Sequence, residues 1–255
     1  MLKAVTALLF LLVSCFGSAL AYSNDVEGLT LKAIGYRSNY FLLGTPLSKL
    51  SLSFKLKAHE DYDFYFAYSQ QMFWALQADS RPFRDLNYNP EMFYRVNLNP
   101  ERGEWIDVGA YEHESNGMAG LDSRSWDRSY LRYNTKMMVG DKASLTFNFK
   151  IWYSYNYDET NMDIEQYRGF WEINIILRDF LGASFSRNDI SVRLYPGGPT
   201  HTDILSGGQE ITYRVNRKIS KKFLFMPVFQ YFHGRGENLL DFREEKNMFR
   251  VGFGF

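Results

Sequence analysis

The chain has a single cysteine, Cys15, among 255 residues. One thiol cannot close an intrachain disulfide, so a small disulfide-stapled scaffold is excluded. Charge of either sign is not in excess, with 29 Lys and Arg against 29 Asp and Glu. Nucleic-acid binders carry a basic face, so this balance argues against nucleic acid as a partner. Long apolar runs are missing too: after residue 22 no segment approaches the ~20 apolar residues of a membrane-crossing helix.

What is present points to a different way of meeting a membrane. Aromatic residues make up 18% of the chain, mostly Phe and Tyr, yet the mean hydropathy is negative. A lipid-facing apolar band, aromatic girdles and a polar lumen produce that mixture. The N-terminus reads as an export signal, with Lys3 as its positive region and Ala4 to Val13 as a short apolar run. Ala19-Leu20-Ala21 offers a cleavage site after Ala21, leaving residues 22–255 as one barrel domain. Leu12-Val13-Ser14-Cys15 also resembles a lipoprotein box, which would make Cys15 a lipidated residue. Under the first reading the mature protein has no cysteine, and a closed hydrogen-bonded barrel would hold it together.

Apolar and polar residues alternate along most of the sequence. Leu50-Ser51-Leu52-Ser53-Phe54-Lys55-Leu56 is one such strand signal. Further strands are expected over 63–74, 91–99, 104–114, 127–138 and 143–155, then over 169–177, 182–195, 209–216, 222–233 and 247–255. The 182–195 piece is interrupted at Asn188-Asp189, which allows one bent strand or two short ones. An early strand near 29–36 brings the total to about twelve, separated by turn-rich pieces such as Pro196-Gly197-Gly198-Pro199. Phe249, Val251, Phe253 and the terminal Phe255 alternate with Arg250, Gly252 and Gly254, a pattern resembling the assembly signal of outer-membrane barrels. The expected fold is all-β, a transmembrane antiparallel β-barrel of about twelve strands. The competing fold is a soluble sandwich whose last strand is half-buried.

The segment richest in chemistry is His113-Glu114-Ser115-Asn116-Gly117, with Ser123-Arg124-Ser125-Trp126-Asp127-Arg128 close behind. Side chains two apart on a strand share a face, so a hydroxyl and an imidazole sit side by side. Strict alternation groups Asp107, Gly109 and Tyr111 with His113 and Ser115, and Val108 and Ala110 with Glu112 and Glu114. On the next strand it groups Ser125, Asp127 and Ser129 against Trp126, Arg128, Tyr130 and Arg132. A short connection makes the two strands antiparallel neighbours, and Asp127 approaches His113 across the pair. The acid–base set Glu112, Glu114, Arg128 and Arg132 belongs in a lumen, because those charges are costly against lipid. His113, Ser115 and Asp127 then face outward near the membrane rim, the arrangement of a serine hydrolase whose substrate lives in the membrane. The bland alternative is three solvated polar residues near a strand end; the dense polar and glycine run between the strands weighs against it.

Other candidates carry less. Glu112-His113-Glu114 lacks the spacing of a zinc helix, and a strand splays the three side chains. His59, His201 and His233 read as solvated surface residues, and Gly234-x-Gly236 as a turn.

The His-x-Ser-Asn-Gly segment and the Ser-Arg-Ser-Trp-Asp-Arg segment resemble the signature of the bacterial outer-membrane phospholipase A family. Ser80 to Arg84, Asn87 to Pro90, Asp163-Ile164 through Tyr167 and Gly169, and Gly234 to Asp241 are similar to family segments as well. The resemblance runs from about Tyr62 to the C-terminus. It implies a barrel of twelve strands in the outer membrane of a Gram-negative bacterium, hydrolysing acyl esters of phospholipids and lysophospholipids. It further implies dependence on Ca2+ and activity as a homodimer. In that family's terms Ser115 is the nucleophile, His113 the general base, Asp127 the third member and Gly117 N–H part of the oxyanion hole. Calcium would be held by the Ser123 hydroxyl and the Met118 carbonyl of one subunit and the Ser80 carbonyl of the other. Asp163 matches an aspartate of a second calcium position, and Gln70 a polar residue of the dimer interface. Three departures stand out: Asp127 replaces the usual Asn, Met118 a basic residue, and Gly120 an aspartate. The second function class is a catalytically silent barrel, a pore or structural protein that has kept the signature.

Overall fold

The computed structural model describes residues 32–181, 187–218 and 224–255. The expected export signal, Cys15 and the start of the first strand lie outside the described residues. Strand segments follow one another as β1 (Lys32–Gly35), β2 (Tyr40–Leu43), β3 (Ser48–Lys57), β4 (Phe64–Trp74) and β5 (Phe83–Asn99). Then come β6 (Glu104–Ser115), β7 (Ser125–Val139), β8 (Ala143–Tyr155), β9 (Trp171–Arg178) and β10 (Arg187–Gly197). The last four are β11 (Asp203–Lys218), β12 (Leu224–Phe225), β13 (Pro227–Gly234) and β14 (Lys246–Gly254). β1 and β2 pair with successive parts of β3, and β12 and β13 with successive parts of β11. Each couple is therefore one interrupted strand, and the barrel has twelve. All pairings are antiparallel, and β14 closes the ring against β2.

Closure pairs β2 to β11, β13 and β14 on both sides, which is the condition for a sheet to sit in hydrocarbon; among the described residues β1 and β12 are paired on one side only. The two faces divide as the alternation requires. Val108, Leu131, Ile151, Ile211, Phe229, Phe249 and Val251 point outward. Glu91, Asp107, Glu112, Arg128, Lys150 and Arg250 are buried inside. Aromatic rings share that lumen: Trp126, Tyr130, Trp152, Tyr65 and Phe93 form its main packed cluster. The Arg128 guanidinium lies 4.0 Å from the Trp126 ring centroid, and Lys150 Nζ 4.1 Å from that of Tyr130. The connection from β13 to β14 folds over the end that carries the His113 segment. Its Glu237 accepts from Arg250 Nη1 at 2.5 Å, and its Leu239 and Leu240 amides donate to Asn87 and Asp85 at 3.2 and 2.9 Å.

Two details differ from strict alternation. β5 begins at Phe83, well before residue 91, and runs through Pro90. β6 carries a bulge: Gly109 pairs with Tyr130 and Glu112 with Arg128, so Ala110 and Tyr111 share one partner position. The extra residue flips the phase of the strand. Asp107 and Gly109 consequently lie in the lumen with Glu112 and Glu114, while Val108 faces out. The expected grouping of Asp107 and Gly109 with His113 is thus corrected. An uninterrupted strand would have put Asp107 against lipid and Val108 in the charged lumen; the bulge removes both costs. β10 runs unbroken through Asn188-Asp189.

Candidate active site

The register of β6 and β7 sets His113 opposite Asp127 and Ser115 opposite Ser125. His113 Nδ1 lies 2.7 Å from Asp127 Oδ1. The Tyr111 hydroxyl donates to the same oxygen at 3.3 Å, and Asn156 Nδ2 to the other at 2.9 Å. Groups on three sides fix the carboxylate plane, and the carboxylate in turn fixes the imidazole. Asn156 follows β8 directly with φ of 50°, a left-handed conformation that Asn adopts more readily than most residues. With Nδ1 engaged, Nε2 is the nitrogen open to exchange a proton. Tyr111 stacks nearly parallel to the His113 ring, 13° apart. The His113 side chain is 32% exposed and that of Asp127 10%.

Ser115 lies two residues on from His113 on the same face. Its Oγ makes no hydrogen bond to the imidazole among the described residues, and nucleophile–base contacts are often long before substrate arrives. Gly117 has φ of 66°, and its N–H donates to no protein acceptor among the described residues. A Cβ there would stand 3.1 Å from the Tyr88 ring and strain the backbone besides. Asn116 braces this turn: its Oδ1 accepts from the Met118 and Arg124 amides, and its Nδ2 donates to the Asp122 carbonyl.

The Ser123 hydroxyl donates to Asp158 Oδ2 at 2.7 Å, and the Ser123 carbonyl accepts from Thr160 Oγ1. Hydrogen bonds from Ser123 and Thr160 hold the Asp158 carboxyl below the usual carboxylate range. Asp163 is claimed by Arg243, whose Nη2 lies 2.5 Å from Oδ1 and Nε 2.8 Å from Oδ2. Burial pushes the Asp163 carboxyl up, but the Arg243 contact outweighs it and the net direction is down. Ser80 occupies the exposed turn before β5 with φ of 60°. Gln70 sits on the outer row of β4, between Tyr68 and Met72.

The fold therefore joins His113 to Asp127, sets Ser115 beside them, and puts Gly117, Met118 and Ser123 on one connection. Ser80 lies on the turn before β5, and Asp163 on the connection after β8, whose Asp158 and Thr160 bond to Ser123. No cluster of three His, Cys, Asp or Glu side chains is placed to hold a metal among the described residues; carbonyl and hydroxyl ligands would form none. Asn156 and Asp158 are additions that sequence patterning missed. Both come from the connection after β8, and their signal is only visible once β8 is seen paired to β7.

Comparison with known proteins adds lineage to this geometry. A family model described as phospholipase A1 matches residues 44–255. The chain is 29% identical over 193 residues to the phospholipase A1 of Proteus vulgaris, covering 74% of this chain and 60% of that protein. It is 28% identical over 196 residues to that of Escherichia coli K12, with the same coverages. A putative phospholipase A1 of Neisseria meningitidis serogroup B is 29% identical over 225 residues, covering 82% of this chain and 54% of that one. The chain thus spans about three-fifths of the length of the first of these relatives. Among solved structures, outer membrane phospholipase A from Escherichia coli superposes with a TM-score of 0.68 at 21% identity, covering 92% of this chain and 95% of that one. The Salmonella typhi outer membrane phospholipase dimer with bound calcium gives 0.68 at 22% identity, covering 93% and 96%. At these identities the likeness shows a shared fold.

Proposed function

Because the chain belongs to the phospholipase A1 family, we propose that it is an outer-membrane phospholipase cleaving acyl ester bonds of phospholipids and lysophospholipids, with A1 and A2 activity. The observation that carries this reading is the 2.7 Å contact of His113 with Asp127 on the outward face, one alternation from Ser115. His113 Nε2 takes the proton from Ser115 Oγ as that oxygen attacks the ester carbonyl. The carbonyl oxygen becomes an oxyanion, and the Gly117 N–H is free to donate to it. His113 then gives the proton to the departing lysolipid oxygen, leaving a fatty acyl ester on Ser115. Water, deprotonated by the same nitrogen, releases the fatty acid. Asp127 keeps the proton on Nδ1 and stabilises the imidazolium at both stages.

Calcium, when bound, would supply positive charge close to the oxyanion. The donor set fits a hard cation: the Ser123 hydroxyl, the Met118 carbonyl and the ionised Asp158 are all oxygens. Asp158 also places a carboxylate beside Ser123 where Gly120 has none. Ser80 of the partner subunit would complete the shell, so the active form is read as a homodimer with Gln70 in its apolar interface. Asp163 is a weaker fit for a second calcium, since Arg243 competes for it. The solved Salmonella relative is a dimer with calcium, which supports this reading without extending to this chain by itself.

The test is fatty-acid release from mixed phospholipid micelles by refolded protein, with calcium or chelator, beside Ser115→Ala. Calcium-dependent release is expected, falling by at least about 10³-fold in the variant. A well-folded wild type that releases nothing with calcium present would leave the silent barrel as the reading.

A further inference from the structure

The lumen holds an imbalance that the outward-facing chemistry does not use. Within the lumen lies a polar cavity, partly open to solvent, with about 40 Å³ of room for water centres. Five cations line it, Arg37, Arg128, Lys150, Arg168 and Arg193, against three carboxylates. The carboxylates are not shared evenly. Glu112 is within salt-bridge reach of Arg37, Arg128 and Lys150 at once, and Glu114 serves Arg128. Arg193 has one carboxylate within 4 Å, Glu172 at 3.8 Å, with Glu210 acting on it from farther off. Arg168 has no carboxylate within 4 Å among the described residues, feels Glu114 only at longer range, and gives Nη1 to the Gly236 carbonyl. The most loosely paired guanidiniums of the lining are therefore those of Arg168 and Arg193, whose carbons lie 4.6 and 5.3 Å from the ring centroid of the same Tyr195.

The hydrogen-bond inventory points the same way. Arg128 Nε, Arg168 Nε, Arg193 Nε and Trp152 Nε1 are buried and make no hydrogen bond, and all four residues line this cavity. Arg128 is 3% exposed and Trp152 6%. All four orphan groups are donors, and none of the fully buried lining atoms without a hydrogen bond is an acceptor. A buried donor without an acceptor costs free energy, so the cavity calls for a guest that accepts from several directions. We propose that the barrel lumen binds a small tetrahedral oxyanion, of the phosphate class, between Arg168 and Arg193. Two guanidiniums present planar forks that match such oxygens. An acyl chain has no place among these charges, so the guest is a free anion and not a lipid tail.

Inorganic phosphate titrated calorimetrically into refolded protein, in detergent and at constant ionic strength made up with chloride, tests this. Saturable binding is expected, weakened at least about tenfold in Arg193→Gln, the scale of one charge-assisted contact. No saturable heat, or the same affinity in a folded Arg193→Gln protein, would overturn it. Should Arg193→Gln fail to refold, Glu172→Gln decides: removing the competing carboxylate is expected to tighten phosphate binding several-fold, and unchanged affinity refutes the site. Hydrolysis by Glu172→Gln is expected to match wild type, since Glu172 touches none of the outward-facing residues.

Discussion

The inner and outer faces of the β6–β7 ribbon are made by the same residues in alternation, yet they are organised in opposite ways. Inside, Glu112, Glu114, Arg128 and Lys150 form a dense buried network in which Glu112 alone lies within reach of three cations. Outside, one partly exposed imidazole meets one buried carboxylate, with only Tyr111 and Asn156 as further support. The inner face has little freedom because unpaired charge in a lumen is expensive. The outer face is held by fewer contacts, and they leave the Nε2 edge of the fixed His113 ring open to a substrate. A single feature lets one ribbon do both: the bulge at Ala110-Tyr111 sets which residues fall on which side.

Removing that bulge should break the separation most severely. Deleting Ala110 restores strict pairing and forces either Asp107 toward lipid or Glu112 and Glu114 out of the lumen. Almost no protein is expected to refold into micelles, by the gain of β-signal in circular dichroism; normal refolding would mean that the bulge is not what sets the phase. Next in size is Glu112→Gln. It leaves the Arg37, Arg128 and Lys150 cluster short of one negative charge, a loss of about 3–5 kcal/mol for a broken buried network. Denaturant unfolding in micelles reads this directly. A change below about 1 kcal/mol would show the lumen to be better hydrated than its burial suggests.

Much of this was legible in the chain. The strands β4, β6, β7 and β8 fall within two residues of their expected bounds, because alternation over ten or more residues is hard to mistake. The pairing of His113 with Asp127 followed from the short connection between β6 and β7. The bulge was hidden since a lone extra residue leaves no mark of its own. Its trace was indirect: an uninterrupted β6 would have set Asp107 against lipid. Asn156 and Asp158 were unreadable because their roles depend on where β8 ends relative to β7, a register that no local pattern carries. Arg243 could not be foreseen as the partner of Asp163, since 80 residues separate them in sequence.

On the outer face the third position of the proposed triad gives a finer contrast. Asp127→Ala removes the acceptor on His113 Nδ1 and is expected to lower turnover about 10³-fold or more with little change in stability. Asp127→Asn should keep activity within about tenfold. Its amide oxygen can still accept from Nδ1, and Asn156 can turn its own oxygen toward the new amide nitrogen. Matched kcat values for the two variants would show that the acceptor is dispensable and that His113 is oriented by Tyr111 stacking instead.

The smallest effect should arise at Asp158, where the outer face meets the proposed cation. Asp158→Asn keeps a hydrogen bond to Ser123 but loses the charge, so the calcium needed for half-maximal dimerisation should rise about tenfold, as sedimentation in detergent would report. Acid should mimic the substitution only late. The folded Asp158 carboxyl titrates below its unfolded value, so the contribution of its charge is complete above that ordinary value. It is lost as the pH falls through the lower, folded one. Wild type should therefore keep its calcium affinity through mildly acidic pH and converge on the Asp158→Asn affinity only below the usual carboxylate range. Convergence already near neutrality would assign the titrating ligand to a different group, and equal calcium requirements at neutral pH would remove Asp158 from the shell.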